Sequence, residues 1–104
     1  MKFIISSISP AMFIDKNYAL LVHELTEDEF QALAYDGISH IGHEDIAAIV
    51  NYAYNKTPVQ ARIGDILLMA QKYRGVMQFN CIQVVENPSP LLREDELYIE
   101  EEVY

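Results

Sequence analysis

Two short apolar runs constrain the fold of this chain more than any other feature. One covers Lys2–Ile5, and the other, ILLMA, opens the segment Ile66–Tyr73. A strand without polar alternation is buried on both faces, so both runs predict strands in the middle of a sheet with a layer on each side. Three further strands are predicted at Tyr18–Leu25, Val59–Ile63 and Val76–Val85.

Helix patterns lie between these strands. Thr26 and Glu29 have capping-box spacing, which predicts a helix over Thr26–Asp36. In Ser39–Val50 the apolar residues recur at helical spacing, which predicts a second helix ending near Asn55. Because three strands follow the helices closely, the pattern predicts an α/β (α+β) fold, a single small domain with a mixed five-stranded sheet flanked by helices.

Length and composition limit the domain organisation and the setting. With 104 residues, of which 51% are hydrophobic, the chain forms one core, which we place in residues 1–87. Residues 88–104 are an acidic C-terminal segment, either a docked helix or an interaction tail. The pattern predicts no signal peptide and no membrane span. A lone Cys81 in an apolar run excludes a disulfide framework within one chain and fits a cytoplasmic setting.

Charge restricts the ligands that this chain can take. A formal net charge of −9 argues against binding long nucleic acid, because nonspecific binding needs a basic face. A small anion remains possible in a local pocket built from few cations. No metal-ligand set and no P-loop or GxGxxG motif is present, so neither a metal nor a cofactor is predicted. The polar residues that follow strands or open the second helix are the candidate anion ligands: Ser6, Ser9, Gly42, His43, Arg62, Gln71, and Lys72 or Arg74.

Several segments together resemble a known family. SSISPAMF is similar to the segment after the first strand in the viral ring nucleases, which are type III anti-CRISPR proteins. SHIGHEDIAAIV resembles the family's serine–x–isoleucine–glycine–histidine segment at a helix start, and PVQARI and GDILLMAQ resemble its next two stretches in the same order. The resemblance covers roughly Met1–Gln71, with gaps.

The resemblance implies both a ligand and a reaction. Family members form homodimers that bind cyclic tetra-adenylate, a cyclic oligoadenylate messenger of type III CRISPR defence, across the subunit interface. They cleave it without a metal, and they act in the cytoplasm of the infected host cell. Carried over by position, His43 would be the catalytic histidine, and the ligand would be held by Ser6, Ser9, Gly42, Arg62 and Gln71.

The chain departs from the family after Gln71. QKYRGVMQFN stands where the family has an arginine, a turn and an acidic helix with a catalytic-site glutamate. Arg74 would replace the arginine, and Gln78 is nearest to the glutamate. Alternatively, LLREDEL corresponds to the acidic helix and the hairpin is an insertion. Three functions therefore remain open: a ring nuclease, a sponge that sequesters a cyclic nucleotide without cutting it, and a small phage protein that acts through a protein partner.

Overall fold

The computed structural model describes residues 1–88 and 98–100. In that part of the chain, six strands form one sheet, and two helices pack on it. The elements in chain order are β1 Lys2–Ile5, β2 Tyr18–Leu25, α1 Glu27–Ala34, β3 Ile38–His40, α2 Glu44–Val50, β4 Ile66–Tyr73, β5 Val76–Glu86 and β6 Tyr98–Glu100.

The sheet is mixed, as the sequence predicts, and its strand order is β3-β1-β4-β5-β2-β6. β1 is parallel to both β3 and β4, whereas β5 runs antiparallel to β4 and β2. Because β3, β1 and β4 are parallel neighbours, their carboxyl ends lie at one edge of the sheet. Ligands of open α/β sheets collect at that edge.

Each face of the sheet has its own apolar core, so the single domain has two cores where its length predicts one. This explains why the two apolar runs show no alternation of apolar and polar residues. On one face, Ile4 and Leu68 pack with α1 and α2 through Phe30, Ile46 and Val50. The other face of the sheet is covered by loops. Its core includes sheet residues, Phe3, Ile5, Leu67 and Met69, and residues from the loops, Ile8, Met12, Phe13, Val59 and Ala61. β1 and β4 are therefore buried on both sides, as predicted.

α1 begins where its capping box predicts. The Thr26 hydroxyl accepts a hydrogen bond from the Glu29 amide at 3.2 Å, and the Glu29 carboxylate accepts one from the Thr26 amide at 2.9 Å. These contacts satisfy two backbone donors that a helix start leaves unpaired. The buried face of α1 consists of Phe30 and Ala34, whereas Leu33 is 38% exposed.

Three details differ from the pattern-based expectation. Val59–Ile63 is not a strand: Ala61 makes only an isolated bridge to Phe13, and the segment crosses the loop-covered face. Ile38–His40 forms the edge strand β3, whereas the sequence pattern assigned this part to the segment that leads into the second helix. α2 ends at Val50 and not near Asn55, because Asn51 adopts a left-handed conformation with φ 62°.

The acidic C-terminal segment contributes one described strand. Tyr98–Glu100 pairs in parallel with Leu20–Val22 of β2. The six-stranded sheet therefore contains four of the five predicted strands, together with β3 and β6, which the pattern did not predict as strands. A strand here replaces the predicted helix at these three residues. The rest of that predicted helix lies outside the described residues.

The β4–β5 hairpin closes through a two-residue turn, Arg74-Gly75, in which both residues have positive φ, 50° and 80°. Such turns favour Asn-Gly because the Cβ of an L-residue crowds the following carbonyl in the left-handed region, and the short polar side chain of Asn offsets this by a local hydrogen bond. We expect Arg74→Asn to raise the free energy of unfolding by about 0.5 kcal/mol, the strain relief less the lost stacking of Arg74 on Tyr73. Urea denaturation followed by circular dichroism measures the change.

Gly75→Ala is the matched control for this turn. It places a side chain at φ 80° without touching a neighbour, since a Cβ there would meet nothing within 4 Å. It should lower the free energy of unfolding by about 1 kcal/mol. A destabilising Arg74→Asn change would contradict the strain argument.

Candidate functional site

The carboxyl ends of β1, β3 and β4 bring together side chains that are far apart in sequence. Ser6 and Ser7 follow β1, Gly42 and His43 follow β3, and Gln71 and Lys72 are among the last residues of β4. The register places Ile5 beside both His40 and Met69, so the residues just beyond them meet at one edge. This strand geometry brings Ser6, His43 and Gln71, three of the candidate residues, to one cleft.

Ser6 and His43 are in direct contact. The Ser6 hydroxyl oxygen and His43 Nδ1 lie 2.8 Å apart, across 37 positions of the sequence. Ser6 is only 5% exposed, whereas His43 is exposed at the start of α2. A buried hydroxyl that holds Nδ1 fixes the orientation of the imidazole ring and leaves Nε2 for a ligand.

We call the open depression around His43 the main cleft. It has a volume of about 570 Å³, and its polar walls are Ser6, Ser7, His43, Asp45, Gln71 and Lys72. Lys72 supplies its cation, and Asp45 opposes an anion at the start of α2. The helix itself has seven residues, so the side chains of the cleft carry most of the argument for a ligand.

A second depression, which we call the side cleft, lies beside the main cleft and has a volume of about 210 Å³. The two clefts share Ser7. Ser9 and Gly42, both predicted as ligand-binding residues, line the side cleft and not the main one. A Cβ on Gly42 would meet nothing within 4 Å, so the fold does not require glycine there.

Two predicted ligand residues, Arg62 and Arg74, do not line the main cleft. Arg62 lies just before β4 begins, where its amide donates to Asp65 at 2.9 Å, so it is at the opposite edge of the sheet. Arg74 is at the hairpin tip, with its guanidinium 5.3 Å from the centre of the Tyr73 ring. Of the two cations weighed at the end of β4, Lys72 is the one that lines the main cleft.

The structure adds residues that the sequence did not single out. Ser7 lines both clefts, and Asn55–Thr57 form a wall of the side cleft. The sequence treats Asn55–Thr57 as a simple connection between elements. The bridge between Ile41 and Tyr54 and the hydrogen bonds of Asn55 to Ser39 and Ile41 place this loop beside β3, and pairings over that distance have no local sequence signal.

Other reactive groups lie outside the clefts. Burial raises the pKa of the Cys81 thiol, which suppresses its thiolate form and makes it a poor nucleophile. Among residues 1–88 and 98–100, no three His, Cys, Asp or Glu side chains cluster as metal ligands would. No helix in the described part of the chain has the length and apolar character to cross a bilayer.

The fold and the site define a small α+β protein with an open cleft at the carboxyl ends of parallel strands and a histidine in it that contacts Ser6. No protein-family model matches the chain, and no curated protein matches it significantly. Among solved structures, it is similar to B116 of Sulfolobus turreted icosahedral virus, with a TM-score of 0.65 and 17% sequence identity. The match covers 79% of this chain and 97% of B116, and it shows a shared fold.

Proposed function

We propose that this chain is a viral or mobile-element anti-defence protein that binds a cyclic oligoadenylate, cyclic tetra-adenylate, and cleaves it without a metal. The 2.8 Å contact between Ser6 and His43 in the main cleft carries the proposal, because it is the arrangement of an oriented proton donor. The fold shared with a viral protein and the sequence resemblance to viral ring nucleases support the same conclusion.

The reaction needs little from the protein beyond positioning and one proton. A ribose 2′-oxygen attacks the adjacent phosphorus in line while its own proton passes to water. Protonated His43 donates from Nε2 to the leaving 5′-oxygen, and its Nδ1–H donates to the Ser6 hydroxyl. The products are a 2′,3′-cyclic phosphate and a 5′-hydroxyl. Proximity of the 2′-oxygen supplies much of the rate.

A ring of four nucleotides exceeds what one chain of this size can enclose. The main cleft is open on one side, and a two-fold dimer would face two such clefts toward a symmetric ring. We therefore expect a homodimer in solution. Light scattering at micromolar concentration should give twice the mass of 11.9 kDa. A monomeric mass in the presence of the ligand would contradict a shared cleft.

Lys72→Ala should weaken the affinity for cyclic tetra-adenylate about five- to tenfold, because Lys72 is the cation that lines the main cleft. The variant should also lose part of the salt dependence, since salt screens contacts to phosphate. Isothermal calorimetry at two ionic strengths measures both effects. Lys16→Ala is the matched control: it removes the same charge from an exposed turn before β2, at the opposite edge of the sheet.

Arg62→Ala sharpens this comparison. Since Arg62 lies at the edge away from His43, its removal should resemble the Lys16→Ala control in calorimetry. A loss of affinity as large as that of Lys72→Ala would show that a second protomer brings Arg62 to the ligand, as the family resemblance implies.

One observation favours a second function, a sponge that binds without cutting. No glutamate lines the main cleft within the described residues. Gln78 pairs with Gln71 across the β4–β5 hairpin, and its neutral side-chain amide cannot act as a general acid or base. A cleft that holds the ring but lacks one catalytic group would sequester its ligand.

Radiolabelled cyclic tetra-adenylate incubated with the protein separates these functions. Products resolved by chromatography support the nuclease. Retention of the intact ring on the protein supports the sponge. If neither occurs at micromolar protein, the proposed ligand is wrong and a protein partner becomes the better hypothesis.

A further inference from the structure

The side cleft has no part in the chemistry described above, yet it adjoins the reacting group. Ser7 lines both clefts, and Gly42 of the side cleft directly precedes His43 of the main cleft. A ligand whose phosphate lies at His43 can therefore place the next group of the same nucleotide in the side cleft. The depression is a candidate site for that group.

The shape and lining of the side cleft select a small flat group. Its apolar wall is built from Ile5, Met12 and Val59, which belong to the packed layer on the loop-covered face of the sheet. Its volume of about 210 Å³ is below the roughly 300–1,000 Å³ of pockets for drug-sized ligands. One heterocyclic base suits this space better than a whole nucleotide.

His40 provides the polar group with a defined hydrogen-bonding role. Its Nδ1 lies 2.7 Å from the Thr57 carbonyl oxygen, and a carbonyl only accepts, so Nδ1 carries the proton. In the neutral ring, Nε2 is then an acceptor. The ring also packs edge-on against Phe3, with centroids 5.4 Å apart.

The wall that orients His40 is itself fixed. The Asn55 amide donates to the Ser39 carbonyl at 2.9 Å, and its side-chain oxygen accepts from the Thr57 amide at 3.0 Å. The Asn55 backbone amide also donates to Ile41 at 2.8 Å. Because two of these bonds hold the loop to Ser39 and Ile41 and the third fixes Thr57 within the loop, the acceptor of His40 is organised before a ligand binds.

We propose that the side cleft is an adenine pocket in which His40 Nε2 accepts a hydrogen bond from the exocyclic amine of the base. Hypoxanthine and guanine carry a carbonyl at that position, so two acceptors would face each other and the pocket would reject them. His40 is then the residue that determines base specificity. The inference rests on the proposed function, because it assigns one base of the cyclic oligoadenylate to this pocket.

Calorimetry with cyclic tetra-adenylate and cyclic tetra-inosinate tests the inference, since each base of the second ring has a carbonyl in place of the exocyclic amine and a proton on the neighbouring N1. The wild type should prefer the adenine ring about tenfold, the effect of one gained bond and one unpaired acceptor. His40→Phe keeps an aromatic ring beside Phe3 and removes both nitrogens. It should bind the two rings within about twofold of each other.

Two further variants keep the test decisive. Gly42→Ala should fold normally, because its Cβ meets nothing within 4 Å, but it narrows the side cleft and should weaken the adenine ring. Lys16→Ala removes a charge from an exposed turn before β2, outside both clefts, and should leave the preference between rings unchanged.

The outcomes separate the two proposals. If the wild type binds neither ring, the proposed function is wrong, and the adenine pocket with it. If the wild type binds, but His40→Phe keeps the wild-type preference or Gly42→Ala keeps the wild-type affinity, the adenine pocket is wrong while the proposed function stands.

Discussion

His43→Ala should abolish most cleavage of cyclic tetra-adenylate while leaving its binding largely intact. A general acid typically contributes about a hundred- to ten-thousand-fold to the rate, so the loss is easy to measure in a single-turnover assay. Binding should persist because the other cleft residues, Lys72 and Gln71 among them, remain in place. The exposed position of His43 makes a gross folding defect unexpected.

The pH profile and a matched variant separate proton donation from mere contact. Because the proposed donor must carry a proton, the rate should fall at high pH. Ser6→Ala keeps the imidazole and removes its anchor at Nδ1, so it should lower kcat more than it raises KM. A His43→Ala protein that cuts at the wild-type rate would refute the mechanism.

Phe30→Ala should lower the free energy of unfolding by about 3–5 kcal/mol. Phe30 is a fully buried residue of α1. Its ring packs on Phe79, with ring centroids 4.9 Å apart, and edge-on against Tyr52. Removing its ring leaves a cavity between the helices and the sheet. Small domains have about 5–15 kcal/mol of stability in total, so this variant should lose much of its margin.

Leu33→Ala is the control on the same helix. Leu33 is 38% exposed, so its truncation should cost less than about 1 kcal/mol. Urea denaturation followed by circular dichroism compares the two variants. Equal losses would contradict the placement of the core beneath Phe30.

The sequence predicts the sheet best where local pattern and burial agree. The strands that contain ILLMA and Lys2–Ile5 lie in the middle of the sheet, where each contributes side chains to the apolar cores on both faces. The capping box at Thr26 acts locally and starts α1 as predicted. Val59–Ile63 has the composition of a strand, yet tertiary packing uses Val59 and Ala61 as a cover for the opposite face. The three residues of β3 are too few for a periodicity to appear.

The same logic explains the outcome for the site. Ser6 follows β1, His43 lies at the start of α2 after β3, and Gln71 lies near the end of β4. Because these strands are parallel, their direction brings the three residues to one edge of the sheet. Arg62 precedes β4, and residues before a strand lie at the other edge. Resemblance along the chain carries no information about which edge a residue reaches. The pairing of Ile41 with Tyr54, which builds the side cleft, is invisible in the local sequence.

End-group analysis of the reaction products tests the central claim most directly. Purified wild-type protein is incubated with labelled cyclic tetra-adenylate in the presence of EDTA, and the products are identified by mass spectrometry. Attack by the 2′-oxygen with proton donation from His43 predicts linear products with a 2′,3′-cyclic phosphate and a 5′-hydroxyl. Products with a 3′-hydroxyl and a 5′-phosphate, or an intact ring bound tightly without any product, would contradict the account.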